Sequence, residues 1–191
     1  MTDEMGTERE SWLVLRAQSG DQEALSALLE SVQGPLFRYI SSLVREQTLA
    51  EDILQEVFIR IYRKLKWLED AEVFRAWAYR IATREAFRYL KRERRWSKQV
   101  REETALNMIA APPPREEFAP ELLDRLPQLI AGLSPASRAV IVLYYLHDMS
   151  LEEAAAVLRI PLGTVKSRLA YGLAGLRQQL KKKNGGRDVK S

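Results

Sequence analysis

Apolar residues recur at helical spacing along most of this 191-residue chain, and no useful length of sequence alternates apolar and polar residues as a strand does. The helical pattern is dense over residues 12–98, where Pro35 is the only proline. It resumes near Glu121 and continues to about Leu180. The pattern predicts an all-α protein made of two small helical domains.

The segment AAPPPREEFAP separates the two helical stretches and holds four of the eight prolines. Consecutive prolines favour extended polyproline and cannot continue a helix, so this segment predicts a linker. The expected organisation is a disordered N-terminus over 1–11, a first domain over 12–98, a linker over 99–120, a second domain over 121–183 and a disordered tail over 184–191.

One helix is predicted from Leu49 to Lys66, with Thr48 and Glu51 as a capping-box pattern at its start. Its apolar stripe consists of Leu54, Val57, Phe58, Ile61, Tyr62 and Leu65. The opposite face carries Asp52, Gln55, Glu56, Ile59 and Arg63. Ile59 is the apolar side chain on that polar face. It is either an isolated exposed isoleucine, which is common, or the centre of a protein-docking face with a charged rim.

Residues 72–96 combine aromatic and basic side chains on a second predicted helix. The members of interest are Arg75, Trp77, Arg80, Arg84, Phe87, Arg88, Lys91 and Arg92. Rings that stack on bases, beside cations that contact phosphates, are typical of single-stranded nucleic-acid binding. The alternative is that most of these rings, Phe74 and Trp77 in particular, belong to the core. Continuing the apolar stripe would bury Glu85, so we expect a helix break or a register change near Arg84.

Two short helical patterns follow at 150–180, and together they predict a helix-turn-helix. Ser150 and Glu153 form a capping box for the first helix, and Pro161 suits the first position of the second. The second helix has an apolar stripe of Val165, Leu169, Leu173, Leu176 and Leu180. Facing away from it are Thr164, Ser167, Arg168 and Tyr171, with Lys166 on the flank. A plain αα-hairpin is the alternative.

Charge is unevenly distributed along the chain, although the net charge is only +4. Seven basic residues face a single glutamate between Arg88 and Arg101. Such a run favours a polyanionic partner, with a solvated helix face as the alternative.

Composition excludes several classes of site. The chain has no cysteine and one histidine, which removes disulfides, thiol nucleophiles and Cys/His zinc sites. We expect no catalytic residues, no metal and no cofactor, and His147 reads as a surface-turn residue. The longest strongly apolar run, AVIVLYYL, is too short to span a bilayer, and the N-terminus shows no secretory signal. We therefore expect a cytoplasmic protein without membrane insertion.

Three segments, taken together, carry a family resemblance. They are LAEDILQEVFIRIYRKL, FRAWAYRIATREAFRYLKRERR and GLSPASRAVIVLYYLHDMSLEEAAAVLRIPLGTVKSRL. They resemble bacterial RNA polymerase sigma factors of the extracytoplasmic-function, or group IV, class, over roughly residues 12–180. The resemblance implies a sigma factor whose partners are core RNA polymerase (the β′ coiled coil and the β subunit), promoter DNA in duplex and single-stranded form, and an anti-sigma factor.

The resemblance also implies a role for each candidate surface. Polymerase docking is implied for Asp52, Gln55, Glu56, Ile59 and Arg63. Opening of the promoter and capture of the −10 element are implied for Arg75, Trp77, Arg80, Arg84, Phe87, Arg88, Lys91 and Arg92. Reading of the −35 element is implied for Thr164, Lys166, Ser167, Arg168 and Tyr171.

The chain departs from the family pattern in two places. Where the family has Arg-Asn-Leu-Ala-Ile-Asp, this chain has Thr-Arg-Glu-Ala-Phe-Arg, which puts Arg84 and Arg88 at the Asn and Asp positions. Where the family often has Arg-Ala-Arg, this chain has Tyr171, Gly172 and Leu173. The alternative function is a one-component helix-turn-helix regulator that binds duplex DNA without polymerase. Such a regulator needs no acidic docking helix followed by an aromatic and basic segment.

Overall fold

The computed structural model describes residues 2–92, 126 and 128–185, and within these ranges it contains helices and turns but no strand. The α-helices are α1 (Thr2–Gln18), α2 (Gln22–Val44), α3 (Gln47–Lys64), α4 (Phe74–Arg92), α5 (Pro135–Ile141), α6 (Leu151–Leu158) and α7 (Leu162–Gly185). Short helical turns lie at Leu65–Trp67, Ala71–Val73, Ile130–Gly132 and Val142–Leu146. The chain divides into two compact units, built mainly on α1–α4 and on α5–α7, which confirms the all-α, two-domain prediction.

The first unit has a core where α2 packs against α1 and α3. The α1–α2 turn uses Gly20 at a φ of 95° and ends at Asp21, whose side chain accepts from the Ala24 amide at 3.0 Å and caps α2. That amide, together with Arg16, lowers the pKa of the Asp21 carboxyl. Tyr39 lies in the core, where its hydroxyl and that of Thr83 are 2.8 Å apart.

The N-terminus is ordered further than the sequence analysis expected. α1 begins at Thr2, so the structure has a helix over residues 2–11, where the sequence predicts disorder. The carboxylate of Glu10 is buried and accepts from Arg75 of α4 at 2.5 and 3.3 Å, and Leu13 and Val14 are buried just after it. This contact could not be predicted from the acidic N-terminal sequence, because the partner of Glu10 lies 65 residues away.

Two local expectations for α3 and α4 are also wrong. α3 begins at Gln47 after Glu46, whose side chain makes no capping bond, so the Thr48–Glu51 capping box is absent. α4 is continuous through Arg84, with no break or change of register. Glu85 is buried, as it must be if the apolar stripe continues. Its carboxylate forms ion pairs with Arg60 of α3 and Arg88 of α4.

The second unit begins with a capped and buried helix. Ser134 accepts from the Ser137 amide and caps α5, which starts at Pro135. Arg138 is buried, and its guanidinium donates to three backbone carbonyls of the preceding turn, those of Ile130, Ala131 and Leu133, at 2.8 to 3.1 Å. These bonds satisfy both the buried charge and carbonyls at the end of a helical turn.

The helix pair α6–α7 follows the predicted plan. The Ser150–Glu153 capping box is confirmed, with bonds of 3.1 and 2.6 Å in the two directions. α6 ends at Leu158, and the next residue, Arg159, caps it with a left-handed φ of 54°. The carbonyl of Pro161 then accepts the first helical bonds of α7. α7 runs to Gly185, two residues into the expected tail.

Several sequence-based expectations fall outside the described residues. They are the last residues of the first domain (93–98), the linker (99–120), the start of the second domain (121–125) and the tail from 186 onward.

Candidate functional site

The face of α3 that was predicted to dock a protein is exposed. Asp52, Gln55, Ile59 and Arg63 lie on the surface, and 43% of Ile59 is accessible to solvent. The buried side of the helix carries Leu54, Val57, Ile61 and Leu65. Ile59 is thus an exposed apolar side chain on a polar face, and the core of the protein does not require an apolar residue at this position. Two stripe assignments differ: Tyr62 is 67% exposed and Phe58 is half-buried.

Glu56 differs from the rest of that face because it is already paired within the molecule. Its Oε1 lies 3.0 Å from Arg60 Nη2 and 4.0 Å from Arg88 Nη2. Glu56 is half-buried, and it joins the α3 face to a basic residue of α4. The helical projection predicts Glu56 on the docking face, but neither of these partners is expected from it.

α4 presents a row of cations at the surface. Those with exposed side chains are Arg75, Arg84, Arg88, Lys91 and Arg92, whereas Trp77, Arg80 and Phe87 are half-buried. Trp77 and Phe87 therefore pack partly against the rest of the unit. This is intermediate between a free stacking surface and the alternative that the rings belong to the core. Phe74, four residues before Ala78 on the inner side, is fully buried.

The basic residues of α4 are not equivalent. Arg75 is held by the buried Glu10 of α1, so its guanidinium has a structural partner. Arg88 is held by the buried Glu85 at 2.5 Å. Arg84 has no carboxylate within ion-pair distance among residues 2–92, 126 and 128–185. Sequence pattern alone ranks these three arginines equally, because the carboxylates that pair with Arg75 and Arg88 are recognised only once the fold brings them close.

The outer face of α7 gathers the residues predicted to read duplex DNA. Its buried stripe contains Val165, Leu169, Leu173 and Leu176. The candidate set is half-buried and comprises Thr164, Lys166, Ser167, Arg168 and Tyr171. The Ser167 hydroxyl donates to the Gly163 carbonyl at 2.9 Å, so its proton is used within the helix and its lone pairs remain as acceptors.

Sequence reasoning missed two exposed tryptophans. Trp67 follows α3, and the Lys66 ammonium lies 4.2 Å from its ring centroid. Trp12 lies on α1 with the Arg16 guanidinium 4.5 Å from its ring. The exposure of Trp67 could have been predicted, because it lies just beyond Leu65, the last residue of the apolar stripe, and shortly before the polar residues Glu69 and Asp70.

The described ranges hold no group of three or more His, Asp or Glu side chains placed to bind a metal ion. None of their helices has both the length and the apolar character needed to cross a bilayer. The candidate surfaces are helix faces with exposed polar, basic and single apolar side chains. Such faces can bind a protein or a nucleic acid through complementary contacts.

Comparison with known proteins yields matches over both units. The family model for sigma-70 region 2 matches residues 28–96, and that for sigma-70 region 4 matches residues 129–178. The chain is 30% identical over 177 residues to the ECF RNA polymerase sigma factor SigW of Bacillus subtilis (strain 168), covering 88% of this chain and 95% of SigW. It is 34% identical over 166 residues to the ECF RNA polymerase sigma-E factor of Escherichia coli (strain K12), covering 82% and 86%.

Two solved structures share the fold. CnrH, solved in complex with the cytosolic domain of CnrY, matches with a TM-score of 0.67 and 27% identity over 91% of this chain and 98% of CnrH. The sigma factor RpoE from Bartonella quintana, solved with the anti-sigma factor NepR, matches with a TM-score of 0.61 and 24% identity over 82% of this chain and 96% of RpoE.

Proposed function

Since this chain belongs to the extracytoplasmic-function class of bacterial RNA polymerase sigma factors, we propose that it docks on core RNA polymerase through the polar face of α3 and reads promoters through α4 and α7. It is a sigma factor that directs promoter-specific initiation of transcription. The division of its surfaces among the partners is our proposal.

One observation carries the docking role, namely that Ile59 is exposed at the centre of a polar face while the opposite side of α3 is packed. An apolar centre with a polar rim is the common anatomy of a protein interface, and desolvation of such a centre contributes much of the binding energy. Asp52, Gln55 and Arg63 form the rim. Glu56 is a weaker contributor, since a partner must draw it away from Arg60.

The promoter-opening role rests on the cations along α4. Arg84, Arg88, Lys91 and Arg92 are exposed, so a single strand can follow them by its phosphates. Trp77 and Phe87 are half-buried, so part of each ring is open to contact with an unstacked base. Strand separation needs no covalent chemistry from this chain, because binding energy for extruded bases offsets the loss of pairing. We therefore assign the chain no catalytic role of its own.

The −35 role rests on the first turns of α7. In a helix-turn-helix these turns enter the major groove, while the first helix, here α6, crosses the DNA backbone. Arg168 can donate two hydrogen bonds to a guanine edge, and Lys166 can reach a phosphate. Ser167 contributes as an acceptor, because its proton is donated to Gly163.

Location and regulation follow from the same partners. Core polymerase and promoter DNA are cytoplasmic in bacteria, so a protein that acts on both functions in the cytoplasm. The related CnrH was solved with the cytosolic domain of a second protein, CnrY, which supports an anti-sigma partner for this chain.

The experiment that separates a sigma factor from a one-component regulator compares DNA binding with and without core polymerase. We expect promoter fragments carrying both elements to bind tightly only when core is present. Tight, sequence-specific binding of duplex DNA by the chain alone, unchanged by core, would support the regulator instead.

A further inference from the structure

Four charged side chains on α3 and α4 form a connected cluster. Glu85 is at its centre, with only 3% of its side chain exposed. Its Oε1 lies 2.8 Å from Arg60 Nε, and its Oε2 lies 2.5 Å from Arg88 Nη2. Glu56 completes the cluster through Arg60. These contacts are ion pairs rather than aligned hydrogen bonds, since Glu85 Oε2 and Arg60 Nε have no partner at hydrogen-bond angles.

The cluster restrains one arginine in particular. Glu85 cannot swing into solvent, because it is buried and Arg60 of α3 holds its other oxygen. Arg88 is therefore tied by one Nη2 group to a rigid carboxylate, although 46% of its side chain is exposed. Its Nε and Nη1 groups make no hydrogen bond to residues in the described part of the chain.

An arginine held in this way differs chemically from a mobile surface cation. A free guanidinium follows a phosphate and carries little sequence information. A guanidinium anchored at Nη2 by an ion pair has less freedom to turn, and Nη1 together with the second Nη2 proton still forms a fork that suits the paired O6 and N7 acceptors of guanine. These acceptors lie on the guanine edge that is open both in the major groove and in an unpaired strand.

We propose that Glu85 is a positioning residue, and that the Arg88 it holds reads a guanine in the −10 region. This inference rests on the proposed −10 role of α4. Arg84 provides the contrast one helical turn earlier. It is exposed and has no carboxylate partner among residues 2–92, 126 and 128–185, so it serves as a phosphate contact.

The test uses holoenzyme assembled from core polymerase and the full chain. A promoter is first selected by the unmodified holoenzyme from a library with randomised −10 and −35 positions. Affinity is then measured for single-base −10 variants of that promoter at several salt concentrations. A bidentate contact to guanine discriminates by roughly 5- to 150-fold against other bases, so the unmodified holoenzyme should prefer guanine by that factor at one position.

Arg88→Ala and Arg88→Lys should both remove this preference, because lysine keeps the charge but not the paired donors. Glu85→Gln should reduce the preference without weakening the binding of core. Arg84→Ala is the matched control: it should keep the guanine preference, lower affinity evenly across the variants and reduce the salt slope by about one unit. Should Glu85→Gln fold and keep the full preference, Glu85 does not position Arg88; should it fail to fold, Arg88→Lys at its half-exposed site still tests the guanine contact.

The outcomes distinguish this inference from the sigma assignment itself. If the unmodified holoenzyme selects no promoter at all, the proposed function fails. If it selects one but Arg88→Ala weakens every variant equally, as Arg84→Ala does, then Arg88 is a phosphate contact and the inference is wrong.

Discussion

The environment of some side chains can be predicted from their own helix, whereas that of others depends on a residue from another helix or turn. Ile59 belongs to the first kind, since its exposure follows from the helical projection of α3 alone. Arg75 and Arg88 belong to the second, because Glu10 and Glu85 set what their guanidinium groups can do. The sequence ranked all the cations of α4 together for this reason.

Ile59→Glu should strongly weaken docking on core polymerase while leaving the fold intact. An exposed position tolerates a charge in the free protein, whereas a desolvated interface centre does not, and we expect the affinity for core to fall roughly 30-fold or more. Val73→Glu is the matched control, because Val73 is a 41% exposed apolar residue away from α3. The measurements are titration of core with labelled protein and thermal unfolding of each variant. Unchanged core affinity with an unchanged melting curve would remove Ile59 from the interface.

Arg168→Ala and Lys166→Ala should have different effects on −35 recognition. Loss of a base contact costs about 1–3 kcal/mol of discrimination, so Arg168→Ala should relax preference at one or two −35 positions. Lys166→Ala should weaken all sequences similarly and lower the salt slope by about one unit. Holoenzyme binding to single-base −35 variants at several salt concentrations distinguishes the two. An even loss with Arg168→Ala and a changed preference with Lys166→Ala would reverse the two roles.

Most helices could be predicted from apolar periodicity. The errors concern helix ends, and residues whose interaction partners lie on another helix. The Ser150–Glu153 box is confirmed because both of its residues belong to one turn. The continuity of α4 was missed because a carboxylate on an apolar stripe normally signals a break. Here Arg60, on another helix, makes the burial of Glu85 tolerable.

α7 shows why a helix-weakening residue can still be favoured. The sequence suggests only that Gly172 and Gly175 lower helix propensity, by about 1 kcal/mol each. In the structure, a Cβ at Gly172 would lie 2.5 Å from Ile141 Cδ1, and one at Gly175 would lie 2.8 Å from Leu133 Cδ2. The two glycines thus allow α7 to approach α5 and the turn before it closely.

Gly172→Ala should therefore destabilise the protein despite the better helix propensity of alanine. Ile141 is fully buried and cannot move into solvent, so overpacking of about 1–3 kcal/mol outweighs a propensity gain of about 1 kcal/mol. Gly163→Ala is the control on the same helix, because no atom lies within 4 Å of its added methyl, and it should stabilise by roughly 0.4–1 kcal/mol. Chemical denaturation followed by circular dichroism checks both. Equal stabilisation by the two changes would show that α7 does not pack so closely at Gly172.

At the scale of the whole molecule, the division into two helical units and the family could both be predicted from the sequence. Density of apolar periodicity marks a core, and its interruption by proline marks a boundary, so these large features do not depend on any single contact. The ordered start of α1 could not be predicted in the same way. One of the contacts that hold α1, between Glu10 and Arg75, joins residues 65 positions apart in the sequence.

In vitro transcription over a promoter library shows whether this chain gives core polymerase its promoter specificity. Core polymerase alone, core with this chain, and core with the Ile59→Glu variant are compared, and the 5′ ends of the transcripts are mapped. We predict initiation at a defined family of sequences sharing a −35 and a −10 element, seen only with the unmodified chain. Transcripts that are the same with and without the chain, or that lack any shared upstream element, would contradict the account.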